Sequence, residues 1–252
     1  MKLVRWLAAI AALVPIAAAT PAACAETDPY AEGASPWSYL FAPYFLMPNL
    51  SGTTGIGGTD VTVDASPTDI FDNLQASFTA YFEAHTPEWA IGLDYLYMDL
   101  GDSGTIPSGS VDVNLEQTQI SGLGMRRVAP WAEAVAGLQW NSIDAGLKGT
   151  GGATIDRRLT ESWVDPVIGA RVGTMWGEKW KGSLLVLAGG FGVGSDFCWQ
   201  VNPLVSYRFS PVISVGVAYR AIGTDYTNGS GADEFHLDVT TFGPAFGVGF
   251  HF

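Results

Sequence analysis

Phe242-Gly-Pro-Ala-Phe-Gly-Val-Gly-Phe-His-Phe252 ends the chain, and its two parities are unlike. Side chains of an extended strand alternate in direction with a period of two. Phe242, Pro244, Phe246, Val248, Phe250 and Phe252 therefore share one face, and Gly243, Ala245, Gly247, Gly249 and His251 the other. Alternation of this kind fits a soluble barrel with an apolar inside or a membrane barrel with an apolar outside, and the rest of the chain must decide between them.

Working back from that segment, the same period recurs. Phe197, Trp199, Val201, Val205 and Tyr207 alternate with Cys198, Gln200, Asn202, Ser206 and Arg208, and comparable patterns run over Gln75 to Ala84, Ala132 to Trp140 and Val164 to Val172. Further strands are expected at Trp37 to Met47, Trp89 to Leu100, Val111 to Met125, Ser183 to Phe191, Val212 to Thr224 and Phe235 to Phe252. The first, third and fourth of these alternate poorly, so their facing is open. Ten strands result, or eight if weak ones merge.

At the other end, Lys2 and Arg5 precede an apolar run from Trp6 to Ala19 and the small residues Ala23-Cys24-Ala25, the pattern of a secretory signal with cleavage before Glu26. The competing reading is lipidation at Cys24, but Pro21 stands where an aliphatic residue is wanted. Cleavage removes two cations and no acid, leaving 10 Lys and Arg against 25 Asp and Glu and a net charge of −15. So acidic a chain lacks the basic track that a phosphate backbone requires, and nucleic-acid binding is excluded. Cys198 is the sole mature cysteine, so an intramolecular disulfide is excluded too. No later apolar run is long enough to cross as a helix; only strands closed into a barrel would satisfy the backbone in lipid.

Charged residues make up only 15% of the sequence, against 31 Gly and 12% aromatic residues. The three mature lysines, Lys148, Lys179 and Lys181, are expected between strands, leaving strand faces of Gly, Ser, Thr, Gln, Asn and a few ions. That suits a packed polar lumen and a lipid-facing exterior. Short turns at His85 to Glu88, Arg127 to Pro130, Gly177 to Lys179 and Ser210-Pro211 alternate with longer Gly- and Asp-rich connections, the longest being Pro48 to Asn73. Trp89, Trp131 and Trp180 each follow a short turn, and Trp37 follows Pro36. Four Trp at one end of the rising strands read as an aromatic belt at the periplasmic interface.

The final strand, with its terminal Phe252 and Phe246, Val248 and Phe250 at alternate positions, resembles the signal by which the barrel-assembly machinery of Gram-negative bacteria recognises its clients. The chain as a whole resembles small outer-membrane β-barrel proteins of the OmpA and OmpW kind, over Trp37 to Phe252 and as an architecture rather than residue by residue. Asp69-Ile-Phe-Asp-Asn-Leu74 and Gly189-Gly-Phe-Gly-Val-Gly-Ser195 look like segments of uncharacterised proteobacterial barrels. The expectation is therefore an all-β, closed antiparallel up-and-down transmembrane barrel at 37–252, after a signal peptide at 1–25 and a short periplasmic segment at 26–36. The resemblance implies an outer-membrane location, the assembly machinery as a partner during biogenesis, and a monomer.

The inward parity collects Glu83, Asp94, Glu133, Asp165, Arg171, Arg208 and Arg220. Ions in a narrow lumen must pair, so an Arg–carboxylate network is expected that plugs the barrel or leaves a narrow pore. The alternative is a barrel enzyme with its site at the extracellular rim. His236 and Asp238, two apart and hence on one face, are its candidate pair, but no nucleophile motif accompanies them. The glycine run 189–195 lacks the helix and Lys of a phosphate loop and reads as a tightly curved strand end. No His, Cys and carboxylate cluster has metal-ligand spacing, so neither metal nor cofactor is expected. Lys148, Arg157 and Arg158 are placed to meet lipopolysaccharide phosphates, and Asp60, Asp64, Asp69 and Asp72 to attract divalent cations at that leaflet.

Overall fold

The computed structural model describes residues 37–56, 59–106, 109–150, 155–231 and 234–252; the expected signal peptide at 1–25 and the segment 26–36 lie outside them. Alternating apolar and polar residues with β-branched and aromatic enrichment build twelve strands. They are β1 (Ser38–Leu46), β2 (Asn49–Ile56), β3 (Thr59–Ala65), β4 (Leu74–His85), β5 (Trp89–Ile106), β6 (Gly109–Ala129), β7 (Ala132–Thr150), β8 (Ile155–Trp176), β9 (Trp180–Gly190), β10 (Phe197–Arg208), β11 (Ile213–Asn228) and β12 (Phe235–His251). One short helix, α1 (Pro67–Asp72), stands between β3 and β4.

β1 and β4 to β12 pair in sequence, antiparallel throughout, and β12 returns to β1, with Leu40 opposite His251 and Phe45 opposite Phe246. The ring has ten strands and is closed, so no edge is left unpaired in the bilayer. The inner turns are made by local chemistry. The Thr86 hydroxyl accepts from the backbone N–H of Trp89 at 3.0 Å, the Ser210 hydroxyl from that of Ile213 at 3.1 Å, and Gly177 takes a left-handed φ of 66° between β8 and β9.

The outer side differs from the sequence expectation in two ways. The stretch 48–73 is not a simple connection: β2 pairs with the outer half of β12, β3 folds back on β2, and α1 then leads to β4. Strands are also longer than alternation indicates. β7 runs to Thr150 rather than Trp140, and β8 begins at Ile155 rather than Val164. The cause is a change of solvent along one strand. On the outward face of β7, Leu138 and Trp140 are followed by Asp144; on that of β5, Ile91 and Leu93 are followed by Asp99. Where the exterior passes from lipid to water the apolar parity changes face, and a search for one unbroken parity stops there.

The expectation that all three mature lysines lie between strands fails for two of them, because β7 and β9 extend beyond the stretches that alternation marks. Lys148 lies in the water-exposed end of β7 and Lys181 near the inner rim of β9; Lys179 alone sits in a turn. Between the rims the exterior is apolar, with Phe41, Phe82, Ile168, Val186, Val217 and Phe246 all exposed. That band, the closed backbone and the polar groups inside make this an outer-membrane β-barrel.

Candidate functional site: the barrel lumen

Two ionic clusters tie strands together across the interior. Arg171 on β8 holds Glu133 on neighbouring β7 through Nε and Glu83 on distant β4 through Nη1, with Arg171 Nη2 donating to Glu83 Oε1 at 3.3 Å. Tyr81 donates to Glu83 at 2.6 Å. Nearer the middle, Arg220 on β11 lies 2.6 Å from Asp94 on β5, donates to the Tyr44 hydroxyl on β1 at 2.6 Å, and reaches Gln119 on β6 at 3.1 Å. Tyr44 in turn donates to Asp94 at 2.9 Å. Arg220 is only 4% exposed, so its charge depends on these partners rather than on water.

A layer of amides covers the second cluster. Gln119 and Gln139 both donate to Asn141 Oδ1, at 3.2 and 3.3 Å, and Ser121 donates to Gln139 at 3.4 Å. Asn141 Nδ2 donates to Asp165 at 3.2 Å. Asp165 is fully buried and accepts three further bonds, from Trp163 Nε1 at 3.0 Å and from the Ser195 backbone and hydroxyl at 2.6 and 2.8 Å.

Of the seven residues expected to form an ionic lumen network, Glu83, Glu133 and Arg171 thus meet in one cluster and Asp94 and Arg220 in another. Asp165 instead sits among neutral donors. Arg208 lies at the inner end, with Nη2 3.4 Å from His251 Nδ1. The glycine run explains the Asp165 site: Gly190, Phe191 and Gly192 have φ of 82°, 52° and 73°, which turn the chain back so that Ser195 meets the carboxylate. Phe191 is the one non-glycine residue with positive φ among the described residues, and no motif in the sequence flags it.

The lumen is not filled by polar groups alone. Leu123, Met125, Val135, Val167, Leu187 and Cys198 form a buried apolar cluster on the β6-to-β10 side. Sequence reading missed it because Leu123 and Met125 stand opposite outward glycines, Gly122 and Gly124, which makes the outward face of β6 look like the inward one.

At the inner rim Trp37, Trp89, Trp131 and Trp180 are all exposed, and the Arg126 guanidinium stands 5.1 Å from the Trp89 ring. Phe246, Val248, Phe250 and Phe252 also face outward, beside β1. His236 and Asp238 lie on the outward parity of β12, above the apolar band; His236 Nδ1 is 3.2 Å from Thr227 Oγ1, and Asp238 faces Asp225 across the ladder. Burial, then Asp238 and Asp196, raise the Asp225 carboxyl above its ordinary range. No group of three metal-binding side chains occurs among the described residues.

The lipopolysaccharide-facing candidates are partly engaged within the chain. Arg158 Nε donates to Asp144 at 2.8 Å, and Asp69 closes a capping box with Ser66 at the start of α1. Lys148 is exposed, as are Asp60, Asp64 and Asp72, and the Arg157 side chain lies outside the described part.

No protein-family model matches the chain, and neither does any curated protein. Among solved structures it is similar to the outer membrane protease OmpT from Escherichia coli, at 10% identity over 88% of this chain and 99% of that one, with a TM-score of 0.49. It is similar to the translocator domain of the autotransporter NalP from Neisseria meningitidis, at 12% identity over 88% and 90% with a TM-score of 0.46. It is also similar to the attachment invasion locus protein Ail of Yersinia pestis, solved with the heparin analogue sucrose octasulfate, at 9% identity over 86% and 98% with a TM-score of 0.41. Such identities and TM-scores say nothing of a shared activity.

Proposed function

We propose that this protein is a non-enzymatic barrel with a structural role in the envelope, and that its lumen is sealed rather than open. The observation that carries this reading is the pair of ties across the interior: Arg171 from β8 to β4, and Arg220 from β11 to β5 and β6. Each arginine is bound from two sides, and a buried pair of this kind is costly to break because one charge would be left without a partner. With the amide layer above and the apolar cluster beside them, these ties occupy the cross-section that a solute would need.

In this reading the outward faces are the working surface. The apolar band and the Trp at the inner rim meet lipid, Lys148 meets lipopolysaccharide phosphates, and the alternate residues Phe246, Val248, Phe250 and Phe252 are what the assembly machinery engages before the chain acts as a monomer. The enzymatic alternative has less to support it, since His236 and Asp238 face away from the lumen and no nucleophile motif accompanies them. Liposome swelling in arabinose tests the reading. Purified, refolded protein is expected to swell liposomes no faster than lipid alone, and swelling at a porin's rate would overturn it.

A further inference from the structure

Above the amide layer the interior changes character. On β5 the inward residues pass from Asp94 to Leu96 and Met98, on β8 from Asp165 to Trp163 and, beyond Glu161, to Leu159, and on β11 from Arg220 to Ile222. Two apolar clusters result. Leu50, Ile70 and Met98 lie on one side, with Ile70 carried inward by α1; Trp163, Tyr226 and Phe235 lie on the other, with the Trp163 and Tyr226 rings stacked at 4.0 Å. The clusters do not merge: between them is a cavity of about 500 Å³. Protein interiors leave few voids larger than a water molecule, and a vestibule open only to water is ordinarily lined by polar groups. This cavity departs from both.

We propose that the outer half of the barrel is a binding chamber for one neutral, apolar small molecule. Its volume is about three times the roughly 150 Å³ that holds benzene, which suits a chain of on the order of a dozen carbons. Among the described residues, none of the side chains that line it is Asp, Glu, Lys or Arg, and Glu161, inward on β8 beside Trp163, is already held by the Tyr226 hydroxyl at 3.1 Å and Asn228 Nδ2 at 3.0 Å. The polar groups at its floor are already paired: Gln119 with Asn141, Asn141 with Asp165, and the Thr79 hydroxyl with the Tyr44 carbonyl. An anion such as a fatty acid would find no cation among the described lining residues, and its carboxylate would have to lose water without compensation from them. An uncharged chain gains from burial, and a single hydroxyl on it gives up far less than a carboxylate does. The chamber lies above the ionic ties, so it is independent of whether the floor conducts.

The test is equilibrium binding of tritiated 1-dodecanol and dodecanoate to the full chain in lipid nanodiscs, with empty discs as reference, at pH 8. Two substitutions fill the chamber from different walls, Ala145→Trp and Thr224→Phe; neither residue belongs to the ionic ties, and heat-modifiable mobility reports whether each variant folds. The expected result is saturable binding of one dodecanol per chain, at least tenfold weaker binding of dodecanoate, and at least tenfold weaker dodecanol binding in a folded filled variant. The proposal is overturned by dodecanol binding no greater than in empty discs, by dodecanoate binding as tightly, or by a folded filled variant that binds like the native chain. Should neither variant fold, the dodecanol-to-dodecanoate ratio of the native chain alone decides.

Discussion

Arg220 Nη2 on β11 donates to Gln119 Oε1 on β6 at 3.1 Å, and these strands stand five places apart in a ring of ten, on opposite sides of the lumen. The two side chains together therefore span the interior, and Arg220 is at the same time bound to Asp94 and Tyr44. This contact lies between the chamber above and the inner half below.

The second tie makes a stability prediction. Arg171 serves two carboxylates, Glu83 and Glu133, and Arg171→Ala leaves both partly buried without it. Breaking a buried pair costs about 3–5 kcal/mol, and the lower end is expected here because Glu83 keeps the Tyr81 hydroxyl and Glu133 keeps Arg127 at 3.9 Å. The melting temperature in detergent is expected to fall by many degrees, with loss of the heat-modifiable folded band at lower temperature than native. Arg171→Lys is expected to recover only part of this, because an ammonium lacks the planar fork that reaches two partners.

Asp165 illustrates a different dependence. Its four contacts are all donors, so Asp165→Asn would turn an amide N–H₂ toward N–H groups that expect an oxygen. A cost of about 1–3 kcal/mol is expected. The same substitution should loosen the turn at 191–196, read as faster backbone amide exchange at Ser195.

Asp225 and Asp238 face each other on the outward side of β11 and β12. The raised pKa of Asp225 means that ionising it costs more in the folded chain than in the unfolded one. This cost is absent below the ordinary carboxylate range near about 3.9 and grows as pH rises through the higher folded value. Asp225→Asn is thus expected to stabilise the barrel by a few tenths of a kcal/mol at pH 7, screened by solvent, and by nothing near pH 3.5. Melting curves of both proteins at the two pH values measure it; an equal gain at both would contradict the electrostatic account.

The barrel was legible where one environment faced each parity for a whole strand. β10 meets that condition, and so does the inner half of β12, where Phe246, Val248, Phe250 and Phe252 do face outward. β7 and β8 do not meet it, because Asp144 and Arg158 face water on the parity that carries Leu138 and Val164 in lipid, so those strands read as ending early. The charged residues of the interior could be picked out by parity, but their grouping could not: which carboxylate meets Arg171 depends on β4 lying four places away around the ring. Asp165 shows the limit most clearly, since its partners include Ser195, delivered by a turn whose positive φ at Phe191 no composition indicates. The apolar chamber was hidden for a related reason. Leu237, Val239 and Phe235 are ordinary strand residues in sequence, and only the closed ring and the hairpin of β2 and β3 turn them toward a common space.

Single-channel recording in planar bilayers tests the sealed lumen most directly. Refolded native protein is expected to show no steady conductance in 1 M KCl, whereas Arg220→Ala, which breaks the contact between β11 and β6, is expected to show discrete openings. A native protein with a stable, ohmic conductance that Arg220→Ala leaves unchanged would contradict the account.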